Sequence, residues 1–124
     1  NLILKLLVRY IKKYIAYVYT LFLISLSLIP VQMQLRPLKL LEWDKAVHCL
    51  LYFFFIIFWG LKLKANKNHL RGLLMATIFF GLVLEVFQEI LPFGRVFEWG
   101  DFIANTAGAL IGFFILHLNK KKLH

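Results

Sequence analysis

Four long apolar runs decide what this chain can fold into. They read YIAYVYTLFLISLSLIPV at 14–31, AVHCLLYFFFIIFWGLKL at 46–63, GLLMATIFFGLVLEVFQEIL at 72–91 and FIANTAGALIGFFILHL at 102–118. A helix needs about 17–25 residues to cross roughly 30 Å of hydrocarbon, so each run has the length of a membrane span. Inside lipid every backbone amide and carbonyl needs a partner within the protein, which leaves helices or a closed β-barrel. A barrel would show alternating segments of about ten residues, and these runs do not alternate. The expectation is an all-α, integral membrane four-helix bundle, one membrane domain over 1–124. Composition agrees: 61% of the residues are hydrophobic, against about 45–50% in soluble domains.

The basic residues orient the bundle. Lys5, Arg9, Lys12 and Lys13 precede the first run, Lys62, Lys64, Lys67 and Arg71 lie around the loop between the second and third, and Lys120, Lys121 and Lys122 follow the fourth. These eleven of the fifteen basic residues fall on one side, which the positive-inside rule makes cytoplasmic. Both termini are therefore expected in the cytoplasm. The net charge of +9 is read as an orientation signal and as a contact for anionic membrane lipid. Nucleic acid is not expected as a partner, because the basic stretches carry no recognisable binding motif. Trp43 and Trp99 fall at the expected outer boundary and Trp59 near the inner one, as interfacial tryptophans do.

The first run, with its basic flank, is too long for a signal-peptide core and is followed by no small-residue cleavage site, so it is read as a retained anchor helix. Cys49 is the single cysteine; it excludes an internal disulfide and is read as a packed thiol. No cofactor motif and no metal-ligand signature of known spacing is present.

The acids are placed selectively. Glu42, Asp44, Glu85, Glu89, Glu98 and Asp101 are the only six, and all fall in the outer loops or the outward halves of the runs. At about 100° per residue, groups three or four apart share a helix face. Asp44, His48 and Tyr52 form one such line in the second run. Glu85, Gln88 and Glu89 occupy one arc of the third, and Asp101, Asn105, Gly108 and Gly112 line one side of the fourth. Three polar stripes at one depth avoid lipid only by facing one another. Glu85 lies six residues before Leu91, roughly 9 Å below the boundary at about 1.5 Å per residue. A charge at such depth costs a few kcal/mol, so Glu85 needs a partner or a task. Lys45, Arg95 and His48 are its candidate cationic partners. Ala104, Gly108 and Gly112 make a small-xxx-small line, expected with Asn105 to press the fourth helix against the acidic third.

These residues resemble a family. DKAVHCLLY supplies Asp44, Lys45, His48 and Tyr52, and EVFQEILPFGRVFEWGDFIANTAGALIG supplies Glu85, Gln88, Pro92, Arg95, Asp101, Asn105, Gly108 and Gly112. In this order and spacing they are similar to the VanZ-like family of small bacterial membrane proteins. The resemblance covers about 43–112, with one departure, the bulky Phe93 before the arginine. It implies a cell-envelope protein of the bacterial cytoplasmic membrane. The family's founding member is linked to low-level resistance to the glycopeptide teicoplanin.

Three roles fit these residues. In the first, Asp44, Lys45, His48, Tyr52, Glu85, Gln88, Arg95, Asp101 and Asn105 line an outward polar pocket that binds an envelope lipid or glycan head group, with Arg95 suited to clamp an anion through paired hydrogen bonds. In the second, Glu85 or His48 acts as a base beside Arg95 on an envelope lipid or glycan. In the third, the network locks the helices or docks a membrane protein partner. The lack of a nucleophile motif or Gly-rich phosphate loop ranks binding above catalysis. Transport is not expected, since the inward halves show no buried ionisable residue to continue a path. His69, His117 and His124 are expected in solvent.

Overall fold

Proline placement marks the helix limits before any packing is considered. The chain's three prolines stand at 30, 37 and 92, and a proline inside a helix removes a hydrogen bond and clashes with the preceding turn. The computed structural model describes residues 1–28, 38–63, 67–91 and 99–118, with side chains of the second helix from residue 45 and of the third from residue 68. It contains α1 (Leu2–Leu28), α2 (Leu38–Leu63), α3 (Lys67–Ile90) and α4 (Trp99–Leu118). All three prolines lie between these helices, and there is no strand among the described residues. All four helices are long and apolar enough to cross a membrane.

The helices are longer than the apolar runs. α1 starts at Leu2, twelve residues before the expected limit, and ends at Leu28. Its basic flank is made of good helix formers, so the helix continues through it. Its last residue stands two before Pro30, and the residue preceding a proline is biased away from helical geometry. Asn1 caps the start, its Oδ1 accepting from the Ile3 amide at 2.9 Å.

Cross-helix bonds fix an up-down-up-down arrangement. Gln88 Nε2 near the end of α3 donates to the Ser27 carbonyl near the end of α1 at 2.7 Å. Lys62 Nζ near the end of α2 donates to the Lys13 carbonyl at 2.8 Å. Lys45 near the start of α2 meets Asp101 at the start of α4. One end of the bundle therefore gathers Ser27, Lys45, Gln88 and Asp101, and the other Lys13, Lys62 and the last turn of α4.

α2 and α4 share the most extensive interface, and the glycines of α4 make it possible. A Cβ at Gly108 would overlap the Cys49 backbone carbonyl, and one at Gly112 would meet the Ile56 methyl and lie 3.1 Å from the Phe53 carbonyl. The small-residue line thus faces α2, a correction to the expectation that it packs on α3. An apolar cluster of Ile56, Leu70 and Leu116 joins α2, α3 and α4. A second, of Leu23, Tyr52 and Phe55, joins α1 and α2, with Phe80 of α3 against it; the Phe55 and Phe80 rings stack at 5.0 Å.

α1 is held more sparsely, with Ala16 and Leu23 as its buried residues. Tyr19 Oη donates to the Leu51 carbonyl at 2.5 Å, and Trp59 Nε1 donates to Thr20 Oγ1 at 2.8 Å. Trp59 is thereby a helix-to-helix link, its indole N–H satisfied by Thr20. The outer faces carry large exposed apolar side chains on every helix, among them Leu21, Phe54, Phe79 and Phe114, while Glu85, Gln88, Asp101 and Asn105 are buried. Apolar outside and polar inside is the distribution lipid demands.

Candidate functional site

The polar residues of three helices meet at one end of the bundle. Asp101 stands in the first turn of α4, where the positive end of the helix dipole favours a carboxylate. Asn105 lies one turn further along the same face. Lys45 and His48 come from the opening turns of α2, and Glu85 from the last quarter of α3. Helical spacing brings His48, Glu85, Asp101 and Asn105 to the bundle interior and leaves Lys45 at its rim, and the close α2–α4 approach at Gly108 sets the separations between α2 and α4.

The Lys45 ammonium lies 3.4 Å from Asp101 Oδ1, with the lysine side chain 54% exposed and the aspartate 9%. The lysine stem passes over Gly100, where a Cβ would come 2.5 Å from its Cε. Beneath this pair sits His48, its side chain 12% exposed. Its Nδ1 lies 3.9 Å from Glu85 Oε1 and its Nε2 4.0 Å from Asp101 Oδ2. With the Asn105 amide oxygen turned toward it at 2.9 Å, Nδ1 is the donor of that bond. The imidazole thus stands between two carboxylates and is steered by an asparagine. Asn105 is itself wedged against α3: a Cβ at Gly81 would lie 3.5 Å from its Nδ2, a buried nitrogen with no hydrogen-bond partner among the described residues.

Charge accounts for the grouping. Two buried carboxylates this close repel one another unless cations or protons offset them. Lys45 answers Asp101, and His48 stands within ion-pair range of both acids. His48, Glu85 and Asp101 also offer one nitrogen and two carboxylate oxygens within 4.8 Å of one another, a set able to hold a divalent cation. Spacing along the chain did not announce this set, because its members come from three helices. Chemically the cluster offers a cation at the rim, hydrogen-bond acceptors below it, and an imidazole able to give or take a proton.

The remaining residues divide clearly. Tyr52 is buried below the cluster and packs on Phe55 and Phe80. Gln88 turns away and is committed to the end of α1. Glu89, placed on the same arc by spacing, is exposed, being one turn nearer the helix end than Glu85. Asp44 and Arg95 have side chains outside the described residues, as do Trp43, Glu42 and Glu98. Gly81 and Gly100 were not singled out in the sequence, although Gly81, Glu85 and Gln88 follow an i, i+4, i+7 line that marks a shared face. His117 is not in solvent: it is half-buried, stacked on Phe113 with centroids 5.9 Å apart, and its Nδ1 is buried without a hydrogen bond among the described residues. It sits at the opposite end of the bundle, away from the cluster.

Four membrane-length helices enclosing a charged cluster at one end define a small multi-pass membrane protein built around a polar site. The VanZ/LLP1 family model matches residues 4–120, nearly the whole chain, and the protein belongs to that family. The match takes in α1, which the resemblance read from the motifs did not reach. No match is found among curated proteins or among solved structures.

Proposed function

We propose that this protein is a cell-envelope protein of the bacterial cytoplasmic membrane whose polar cluster receives the head group of an envelope lipid or glycan from the outer face. Such a role would connect with the family's link to teicoplanin resistance. The observation that carries the reading is the gradient across the Lys45–Asp101 pair. The lysine side chain is 54% exposed and the carboxylate it touches only 9%, so polar groups continue from the surface into the helix bundle. A network serving only to lock helices has no need of a charged group at its mouth. Lys45 suits a phosphate or carboxylate, and the acids behind it suit sugar hydroxyls or an amine.

The test is ligand-dependent stabilisation of the purified protein in detergent, with a polyprenyl phosphate, a lipid-linked peptidoglycan precursor and teicoplanin as separate probes. A ligand at about 100 times its Kd stabilises by roughly 2.7 kcal/mol, a readily measured rise in Tm. If none of the three shifts the melting temperature, the binding reading is lost.

A second reading, catalysis on an envelope lipid or glycan, is favoured by the position of His48 between Glu85 and Asp101. It predicts that the envelope lipid profiles of cells carrying wild type and Glu85→Gln differ; identical profiles overturn it. A network that only locks the helices would instead show Glu85→Gln as a loss of protein yield.

A further inference from the structure

At the opposite end of the bundle lies a second feature, independent of the cluster. The Lys62–Lys13 hydrogen bond sets Lys13 level with the last turn of α2. The stretch of α1 before it, Leu2 to Lys12, therefore extends beyond the end of α2 by roughly 16 Å, at about 1.5 Å per residue. Along this extension and at its base, Lys5, Arg9, Lys12 and Lys13 follow i, i+4, i+7, i+8 spacing and share an arc of about 100°. The other positions are Leu2, Ile3, Leu4, Leu6, Leu7, Val8, Tyr10 and Ile11, all exposed. This is the pattern of a helix lying at a membrane interface.

Where the extension leaves α2, a cleft of about 770 Å³ opens between the two helices, within the roughly 300–1,000 Å³ range of small-ligand sites. Arg9, Lys12, Lys13 and Lys62 line it together with Ile15 and Phe58. Lys62 is not a loose surface lysine, since its ammonium is fixed by the Lys13 carbonyl and lies 4.7 Å from the Tyr17 ring centroid. Four cations converge here, and the first 41 residues contain no acid at all. Among the described residues the acids Glu85, Glu89 and Asp101 all stand toward the other end of the bundle. Among the described residues no acid lines this cleft, and an apolar wall runs from the cations toward the membrane core.

We propose that this cleft is a binding site for an anionic phospholipid, its phosphate held by Arg9, Lys12, Lys13 and Lys62 and an acyl chain laid along Ile15 and Phe58. The positive-inside rule puts the site in the cytoplasmic leaflet, where anionic head groups attract basic residues with about 1 kcal/mol each. The proposal stands apart from the reading of the polar cluster, and either can fail alone.

Native mass spectrometry and thermal shift of the whole protein in non-ionic detergent test it, with phosphatidylglycerol, phosphatidylcholine and inorganic phosphate as probes. Two triple variants are compared: Arg9→Gln/Lys12→Gln/Lys62→Gln in the cleft, and Lys64→Gln/Lys67→Gln/Arg71→Gln, which removes the same charge beyond α2. Wild type should retain phosphatidylglycerol and gain in Tm, with phosphatidylcholine and free phosphate inert. The cleft triple should lose retention by at least about tenfold and the second triple by less than about twofold. Equal losses from both triples would reduce the effect to diffuse surface charge and overturn the site. So would full retention by the cleft triple, or equal stabilisation by phosphatidylcholine or free phosphate. Because Lys12 is exposed, Lys12→Gln alone keeps the helix contacts and should still weaken retention, which covers a triple that fails to fold. Unchanged retention by that single variant would also overturn the site.

Discussion

Lys45 and Asp101 touch across two helices, yet their surroundings make the two ends of the pair unequal. Without Lys45, the Asp101 carboxylate remains buried beside His48 and Glu85 with one cation fewer. Without the Asp101 charge, Lys45 can turn its ammonium to water, because more than half of its side chain is already exposed. Lys45→Met should therefore destabilise by roughly 1–3 kcal/mol, and Asp101→Asn by less than about 1 kcal/mol. Reversible unfolding in mixed detergent micelles measures both, and equal losses would contradict this account of the pair. The sequence placed Asp44, His48 and Tyr52 on one line of the second run. In the structure the His48 ring nitrogens face Asn105, Glu85 and Asp101, all from other helices, while the Asp44 side chain lies outside the described residues. Helical spacing tells which residues share a face. It does not tell which face of another helix stands opposite, so the members of the cluster and the His48–Glu85 pair were legible, while the Lys45–Asp101 and His48–Asn105 pairings were not.

Among the elements, α2 and α4 are joined by backbone approach. A methyl at Gly108 would run into a main-chain carbonyl, which cannot swing aside as a side chain can, so α2 as a whole would have to move. Gly108→Ala is expected to cost about 1–3 kcal/mol, as overpacking does. Gly72→Ala, where a Cβ meets nothing within 4 Å, should be neutral or slightly stabilising, by up to about 0.5 kcal/mol. Thermal melts of the two variants beside wild type check the contrast, and a similar loss in both would mean that close packing at Gly108 is unimportant. α1 is attached differently, by polar bonds at separate heights. Tyr19→Phe removes the bond to the Leu51 carbonyl and should cost about 0.6 kcal/mol, the typical value for an interhelical bond in a membrane. A crosslink between cysteines on α1 and α2 would report whether the helices part. The small-residue line was visible in the sequence; that it serves α2 was not, since a stripe of small residues names no partner.

For the whole molecule, helix number and approximate limits followed from apolar run length and proline position, while the reach of α1 did not. Lys5, Arg9, Lys12 and Lys13 look like a charged flank when hydropathy alone is considered, but they lie on one helical face, so the helix passes through them. The bundle thus carries a mixed-charge cluster at one end and a basic cleft at the other, and which end faces the cell exterior decides what each can meet. The positive-inside rule gives a definite expectation. With Cys49→Ser as background, Glu98→Cys before α4 and Lys121→Cys after it place single thiols near opposite ends of one helix. A membrane-impermeant maleimide should label the first in intact cells and the second only after lysis. The reverse pattern would put the cluster in the cytoplasm, beyond reach of an external glycopeptide, and would expose the basic cleft to the outer leaflet. Both proposed ligands would then have to be sought on the opposite face from the one argued here. Labelling of Glu98→Cys in intact cells would instead leave the outward polar site as the surface on which envelope ligands should be tried first.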